Sequence, residues 1–457
     1  MRLIIHARSS SLGLAIALFA ALALVVVPGC SADSDSGSGL AADAGATDGQ
    51  GGQDAGASSD GGTNSDSGTN SDSRTNAGGD AVTGQDSGSA TRSDAVGGSD
   101  GGGSTAKVYA VGMIVLQTKG AGGRTLPTNV WYPIDAGQKG ELVKYLQGLV
   151  ASPYGALKGV KPAAGSFPVI AFSHGNQGVP DQSVFLTEAY ARHGYVVVSP
   201  AHVNNTTLDN DPTLACAMTL WRPQDLKAAI DRVAKPEKGD PAWLKGLADT
   251  SKIAVTGHSF GGYTSLAVAG IKVDEPPLAA ANCGALPALN PYHAEKKKLG
   301  AKPWDFGDKR VKVVIPLAHA MYAYHILQHA SAKAFKVPTI IMAATGDSLT
   351  TFKGEAEPLY NDLPGEAALM AIQGGEHMSF ANICEVAAFV PANLKAGVQK
   401  LCNKGAKPTI PQQHAAIVKY SLAAADLYLK GDAEMRKLFK PALNQVYELK
   451  SKGILKK

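Results

Sequence analysis

The sequence predicts an α/β fold, a mostly parallel central sheet covered by helices on both faces. Short apolar stretches recur from residue 109 to 372 without the clean alternation of a half-solvated sheet. Helical patterns separate several of them. Side chains able to do chemistry fall just beyond three of the stretches, where open α/β sheets collect their sites.

Strands are expected at 109–117, 129–133, 168–173, 195–199, 253–256, 311–316, 339–343 and 368–372, and helices at 182–193, 223–234, 263–269 and 412–429. The stretch from 106 to 457 is long enough for one large core. Between 272 and 310 lies an excursion carrying Pro276, Pro277, Cys283, Pro287, Pro291 and Trp304. It reads equally as a lid over a pocket or as a surface insertion. Lys296, Lys297 and Lys298 within it read as a solvated loop.

The chain before this domain has its own logic. Residues 1–30 hold Arg2 and Arg8, an apolar run from Leu12 to Val27, and then Pro28-Gly29-Cys30, the pattern of an export signal. Val27 to Cys30 resembles the lipobox of bacterial lipoproteins, which implies a lipid on Cys30; Ser31 then implies outer-membrane transport. The plainer alternative is a secreted protein cut near an unmodified Cys30. Residues 31–105 hold twelve Asp, two Arg and neither Lys nor Glu, with the near-repeat Thr63-Asn-Ser-Asp-Ser and Thr69-Asn-Ser-Asp-Ser. Such a segment buries too little apolar surface to offset its ordering entropy, so it is expected to be a disordered tether with a reach of roughly 50 Å.

With the whole chain at +4, the acidic tether leaves the domain strongly basic. No Lys and Arg run is interleaved with aromatics, so nucleic-acid binding is not expected. Any membrane contact is expected only through the anchor, and the protein is expected to be a monomer. Cys216, Cys283, Cys384 and Cys402 suggest two disulfides in an oxidising compartment. Cys384 with Cys402 closes a short loop and is the preferred pair, leaving Cys216 with Cys283. None forms a C-x-x-C pair, and no metal site is expected.

The chemistry is concentrated at Lys252 to Tyr263, where a β-branched stretch runs through Gly257-His258-Ser259-Phe260-Gly261 into a small-residue helix. A serine at a sharp strand-to-helix turn needs neighbours without side chains, and that turn lifts its hydroxyl above the sheet. The same spacing recurs around Ser99, from Gly97 to Gly101, but with no strand before it and no helix after. Asp347 follows the stretch 339–343 and His377 follows 368–372. Serine, carboxylate and imidazole in that order suit a triad: the imidazole takes the serine proton, and the carboxylate fixes its tautomer. His202 and His258 read as supporting groups, and His293, His319, His325, His329 and His414 as surface or packing residues. The Gly-rich turn His174-Gly175-Asn176-Gln177-Gly178 offers the Asn176 N–H, which with the Phe260 N–H would form an oxyanion hole.

Phe172-Ser173-His174-Gly175, Gly257 to Gly262, Val130-Trp131-Tyr132-Pro133 and Arg222-Pro223-Gln224-Asp225-Leu226 together resemble the platelet-activating-factor acetylhydrolase and predicted dienelactone-hydrolase branch of the α/β-hydrolases. Cutinases and polyester hydrolases share that plan. The resemblance covers residues 107–430 and implies Ser259 as nucleophile, Asp347 as acid and His377 as base. Dienelactone hydrolase itself uses a cysteine nucleophile, and the excursion at 272–310 exceeds what cutinases carry. The expectation is a serine hydrolase of carboxylic esters, small-molecule, lipid or polymeric, without metal or organic cofactor. A surface-binding module on an inactive hydrolase fold, and a peptidase or amidase with the same triad, are the alternatives.

Overall fold

Alternate side chains of a doubly covered strand must enter two different cores, and those of this chain do. Val169 and Ala171 pack into one apolar cluster while Ile170 and Phe172 pack into the other, and Ile341 and Ala343 oppose Ile340 and Met342 in the same way. These contacts come from a computed structural model that describes residues 107–275, 291–385, 400–402 and 408–456. Cys30, the expected tether and Cys283 lie outside the described residues.

The strands are β1 (Ala110–Lys119), β2 (Thr125–Ile134), β3 (Lys144–Tyr145), β4 (Val150–Ala151), β5 (Leu157–Lys158), β6 (Phe167–Ser173), β7 (Val196–Pro200), β8 (Ala248–His258), β9 (Val311–Leu317), β10 (Thr339–Ala344), β11 (Ala367–Ile372), β12 (Ala442–Leu443) and β13 (Tyr447–Lys452). Eleven form one sheet in the order β12-β13-β11-β10-β9-β8-β6-β7-β2-β1-β5, and β3 with β4 forms a separate hairpin. From β7 to β11 every pairing is parallel, while β2 is antiparallel to both its neighbours.

The helices are α1 (Val184–Arg192), α2 (Ala215–Ala234), α3 (Phe260–Ala269), α4 (Pro291–Leu299), α5 (His329–Ala332), α6 (Glu357–Asp362) and α7 (Ile410–Ala425). Residues of α2, α3, α4 and α6 share one core, and those of α1 and α7 the other. No helix among the described residues is long and apolar enough to cross a membrane.

The expected strands are all present, each within a few residues of its predicted bounds. The edge strands β5 and β12, the strand β13 next to β12, and the hairpin of β3 and β4 were not expected. Tyr447-Glu-Leu-Lys-Ser-Lys pairs with β11 along its length and with β12 at Glu448 and Leu449, and it is mostly polar because only Leu449 is fully buried.

Helix α2 begins at Ala215 rather than at Pro223, so the proline lies inside it. A proline there deprives the carbonyl four residues earlier, that of Thr219, of its helical donor. The Tyr263 hydroxyl of α3 donates to that carbonyl at 2.9 Å instead, so the same interruption that hides the helix from its pattern also docks α3.

The excursion is anchored in its described parts. Val273 bridges Trp304 and Leu327, and Trp304 and Tyr292 are buried. Lys296, Lys297 and Lys298 are helical, not a loop: they end α4, whose Glu295 accepts from Trp221 Nε1 at 3.2 Å and Gln224 Nε2 at 3.0 Å on α2. His319 and His325 lie in turns rather than along a helix, with Met321 and His325 at φ 73° and 58°.

Replacing Tyr263 by Phe leaves the Thr219 carbonyl buried and unpaired, and it should lower unfolding free energy by about 1–3 kcal/mol in denaturant titrations.

Candidate active site

Ser259 stands between the last residue of β8 and the first of α3, half-buried, at φ 57° and ψ −118°. L residues rarely adopt such a backbone, and holding one there costs on the order of 1–3 kcal/mol. The flanking glycines make the turn possible. A Cβ on Gly257 would lie 2.5 Å from the carbonyl oxygens of Gly261 and Ser173, and one on Gly261 would lie 1.8 Å from that of Ser173. The Ser259 N–H donates to Leu317 O at 2.9 Å, fastening the turn to the end of β9.

Asp347 and His377 come from the loops after the neighbouring strands β10 and β11. Those loops are laced by Thr345 N–H to Ile372 O and Gly346 N–H to Gly375 O, each 2.9 Å. His377 Nδ1 donates to Asp347 Oδ2 at 2.8 Å, with both side chains buried. Asp347 also accepts from the N–H groups of Leu349 and Thr350 and from the Thr350 hydroxyl, each at 2.8 Å. Burial opposes its ionisation, yet the His377 charge and hydrogen bond, with Thr350, hold the carboxyl below the usual Asp range. The Asp347 bond fixes the Nδ1–H tautomer and leaves His377 Nε2 as the acceptor. Beyond His377, Cys384 is joined to Cys402 across 18 residues, their Cα atoms 5.6 Å apart. Cys216 is also disulfide-bonded.

His258 ties the two halves together. Its Nε2 donates to the His377 carbonyl at 2.9 Å, and its Nδ1 accepts from Gln182, whose Oε1 in turn accepts the Gly175 N–H at 2.9 Å. Burial, followed by the His377 charge, drives His258 down to about 3, so it is a neutral spacer. Among the described residues no hydrogen bond joins Ser259 Oγ to His377 Nε2. Asn176 is exposed at the adjacent turn, and neither its N–H nor that of Phe260 donates to a turn, loop or cap carbonyl among the described residues. The Phe260 N–H is free as the first of a helix.

A family model described as Chlorophyllase matches residues 146–305, which hold the 174–178 turn and Ser259 but neither Asp347 nor His377. The fold is that of the α/β-hydrolases. Among curated proteins the chain is similar to Cutinase est1 of Thermobifida alba, 26% identical over 216 residues, covering 47% of this chain and 54% of that protein. It is also similar to Cutinase 2 of Thermobifida cellulosilytica and Cutinase cut1 of Thermobifida fusca, each 26% identical over 47% of this chain, covering 62% and 50% of those proteins. The chain thus spans little more than half the length of the relatives it matches.

The chain carries a second constellation that sequence reasoning did not assemble. Ser173 Oγ donates to His202 Nε2 at 2.9 Å, and His202 Nδ1 donates to Asp225 Oδ2 at 3.0 Å. All three are fully buried. Asp225 is gripped at both oxygens by Arg124, at 2.7 and 2.8 Å, and burial nonetheless pushes it up to about 6. Burial and the Arg222 charge press His202 well below its usual range. Buried and locked, this set braces the turn at 174–178.

Arg222 completes the brace. Fully buried on α2, it donates to Asn205 Oδ1 at 2.8 Å, to Ser173 Oγ at 3.1 Å, to Gly175 O at 3.3 Å and to His174 O, with its guanidinium 4.4 Å from the centre of the Phe260 ring. The Arg222 to Leu226 run was singled out only as part of a resemblance. Two charged residues three apart on a buried helical stretch were the signal that it mattered.

On the other flank, Glu355 accepts from the N–H groups of Met321, Tyr322 and Ala323 at 3.2, 2.7 and 3.2 Å. It holds the turn whose Ala320 N–H donates to Ser259 O at 3.3 Å. Burial pushes the Glu355 carboxyl up to about 7 against those three donors. An unfolded Glu ionises near 4.3. Between those values the folded chain keeps a proton the unfolded chain has lost, so this group's contribution falls as pH rises toward about 7.

Glu355→Gln should therefore raise the unfolding temperature at pH 8 relative to wild type, by the equivalent of roughly 3 kcal/mol or less, and change little at pH 4. Arg222→Met should disorder the turn. Amide hydrogen exchange in the turn should quicken at least tenfold in that variant, while Arg222→Lys recovers only part of the protection.

Proposed function

We propose that this chain is a serine hydrolase of carboxylic esters that works through an acyl-enzyme. The observation that carries the reading is the 2.8 Å bond from His377 to a buried Asp347, at the same sheet edge as a serine held at φ 57°. Ser259 Oγ attacks the ester carbonyl while its proton passes to His377 Nε2. The bond between Ser259 Oγ and His377 Nε2 is expected to form in the substrate complex, since catalytic hydrogen bonds often tighten only when substrate is bound. The carbonyl oxygen, now negative, takes the N–H groups of Asn176 and Phe260. Collapse breaks the bond to the alcohol, which leaves with the proton from His377. Water then attacks the acyl group, giving its proton to His377, and the acid departs as Ser259 recovers its hydrogen.

The similarity to proteins named cutinases supports an ester carbonyl as the target. We further propose that the chain acts outside the cytoplasm, exported by residues 1–30 and held to the cell envelope by lipid on Cys30, with residues 31–105 as spacer.

Ser259→Ala should reduce kcat/KM for p-nitrophenyl acetate by roughly 10⁴-fold or more without lowering the thermal midpoint. Asp347→Asn should cost a comparable factor. Retention of full activity by Ser259→Ala would exclude this assignment.

A further inference from the structure

A cavity of about 520 Å³ lies beside the 174–178 turn. That is within the size range of small-molecule sites. Its walls include Ala201, Val203 and Leu208 beyond the end of β7, Val179 just past the turn, and Ile383. Ala201 to Leu208 follow the carboxyl end of β7, the same end of the parallel sheet at which Ser259 follows β8, and Ser259, Asp347 and His377 are not themselves among the lining residues. Ile383 lies six residues past His377, and the wall is tied to the turn itself: Thr207 donates from Oγ1 to Gln177 O at 2.5 Å and from N–H to Gly178 O at 3.3 Å.

Several polar groups of the wall are engaged within the protein, and Lys144 and Asn129 also line it. Thr206 N–H and Oγ1 donate to Asp209 Oδ1 at 3.1 and 2.5 Å, Asp181 Oδ2 accepts the Leu146 N–H at 2.8 Å, and the Tyr145 hydroxyl accepts from Trp131 Nε1 at 2.8 Å. Leu208, at the rim, leaves 69% of its side-chain-bearing surface in water. A concave and mostly apolar wall favours an apolar occupant, since a charged or hydrogen-bonding group set against its Val, Leu, Ile and Ala side chains would lose water without replacing it.

We propose that this cavity receives an extended hydrocarbon chain of the ester substrate. The proposal rests on the esterase reading for the position of the ester, and on the cavity alone for the chemistry of the chain. Each buried methylene then gains about fourfold in kcat/KM until the chain fills the space. The chain is borne on the acyl or on the alcohol side, and two substrate series distinguish them.

The test compares wild type, Val203→Phe, which fills the cavity, and Leu208→Asp, which places a charge at the rim. One series is p-nitrophenyl acetate to decanoate, and the other is methyl to decyl acetate. In wild type, kcat/KM should climb with length in one series, and in both variants its decanoate-to-acetate or decyl-to-methyl ratio should fall at least tenfold. Ratios equal to wild type in both variants would overturn the proposal. Calorimetric titration with decanol supplies a readout free of catalysis, and saturable binding weakened at least tenfold in both variants is expected. No saturable binding overturns the cavity's role even where short esters are hydrolysed. Binding as expected with no hydrolysis of any ester overturns the esterase reading instead.

Discussion

One steric contact governs the site. The first turn of α3 crosses the end of β6 so closely that a single carbon on Gly261 would stand 1.8 Å from the Ser173 carbonyl oxygen. No flexible side chain could yield there, because the obstacle is backbone. The strand end that begins the 174–178 turn and the helix start that follows Ser259 thus pack as one unit. Gly262 extends the constraint to the segment just past β9, since its missing Cβ would lie 2.7 Å from His319 Cα. The strain at Ser259 is sustained by these contacts together with the Leu317 hydrogen bond, and the candidate oxyanion donors are placed by the same packing.

The molecule holds two arrays of serine, histidine and carboxylate, and they show what the constellation alone does not decide. In Ser173, His202 and Asp225 the hydrogen bonds run in the same sense as in a triad, at 2.9 and 3.0 Å. Yet that serine is a fully buried strand residue that also accepts from Arg222 at 3.1 Å, and its carboxylate is taken by Arg124. Among the described residues Asp347 has no arginine partner and is met by His377, Thr350 and the Leu349 N–H, while Ser259 is carried outward on a turn. Access and backbone, rather than residue type, separate the array proposed to do chemistry from the structural one. The structural array still matters to the chemistry, because a buried arginine reaching Ser173, His174 and Gly175 fixes the loop on which Asn176 sits.

Much of this was legible in the sequence where local pattern and tertiary role agree. Apolar runs gave the eight central strands because strands buried on both faces tolerate little else. Ser259, Asp347 and His377 could be picked out because each follows such a run. The polar strand from Tyr447 to Lys452 was hidden because only Leu449 of it is fully buried, and the first half of α2 was hidden because Pro223 is compensated by a hydroxyl from another helix. Contacts between residues far apart in sequence, such as Arg222 with the 174–178 turn and Glu355 with the 321–323 turn, leave no periodic trace. The wall of the apolar cavity is likewise assembled from six separated segments.

The central claim is that Ser259 is a nucleophile activated by its surroundings and not a turn residue, and covalent labelling tests this most directly. Folded chain treated with ethyl p-nitrophenyl methylphosphonate, digested and read by mass spectrometry, should carry one phosphonyl group, on the peptide containing Ser259, with labelling abolished by prior unfolding and by His377→Ala. An unlabelled folded chain, or an adduct on Ser173 or any other residue in place of Ser259, would contradict the account.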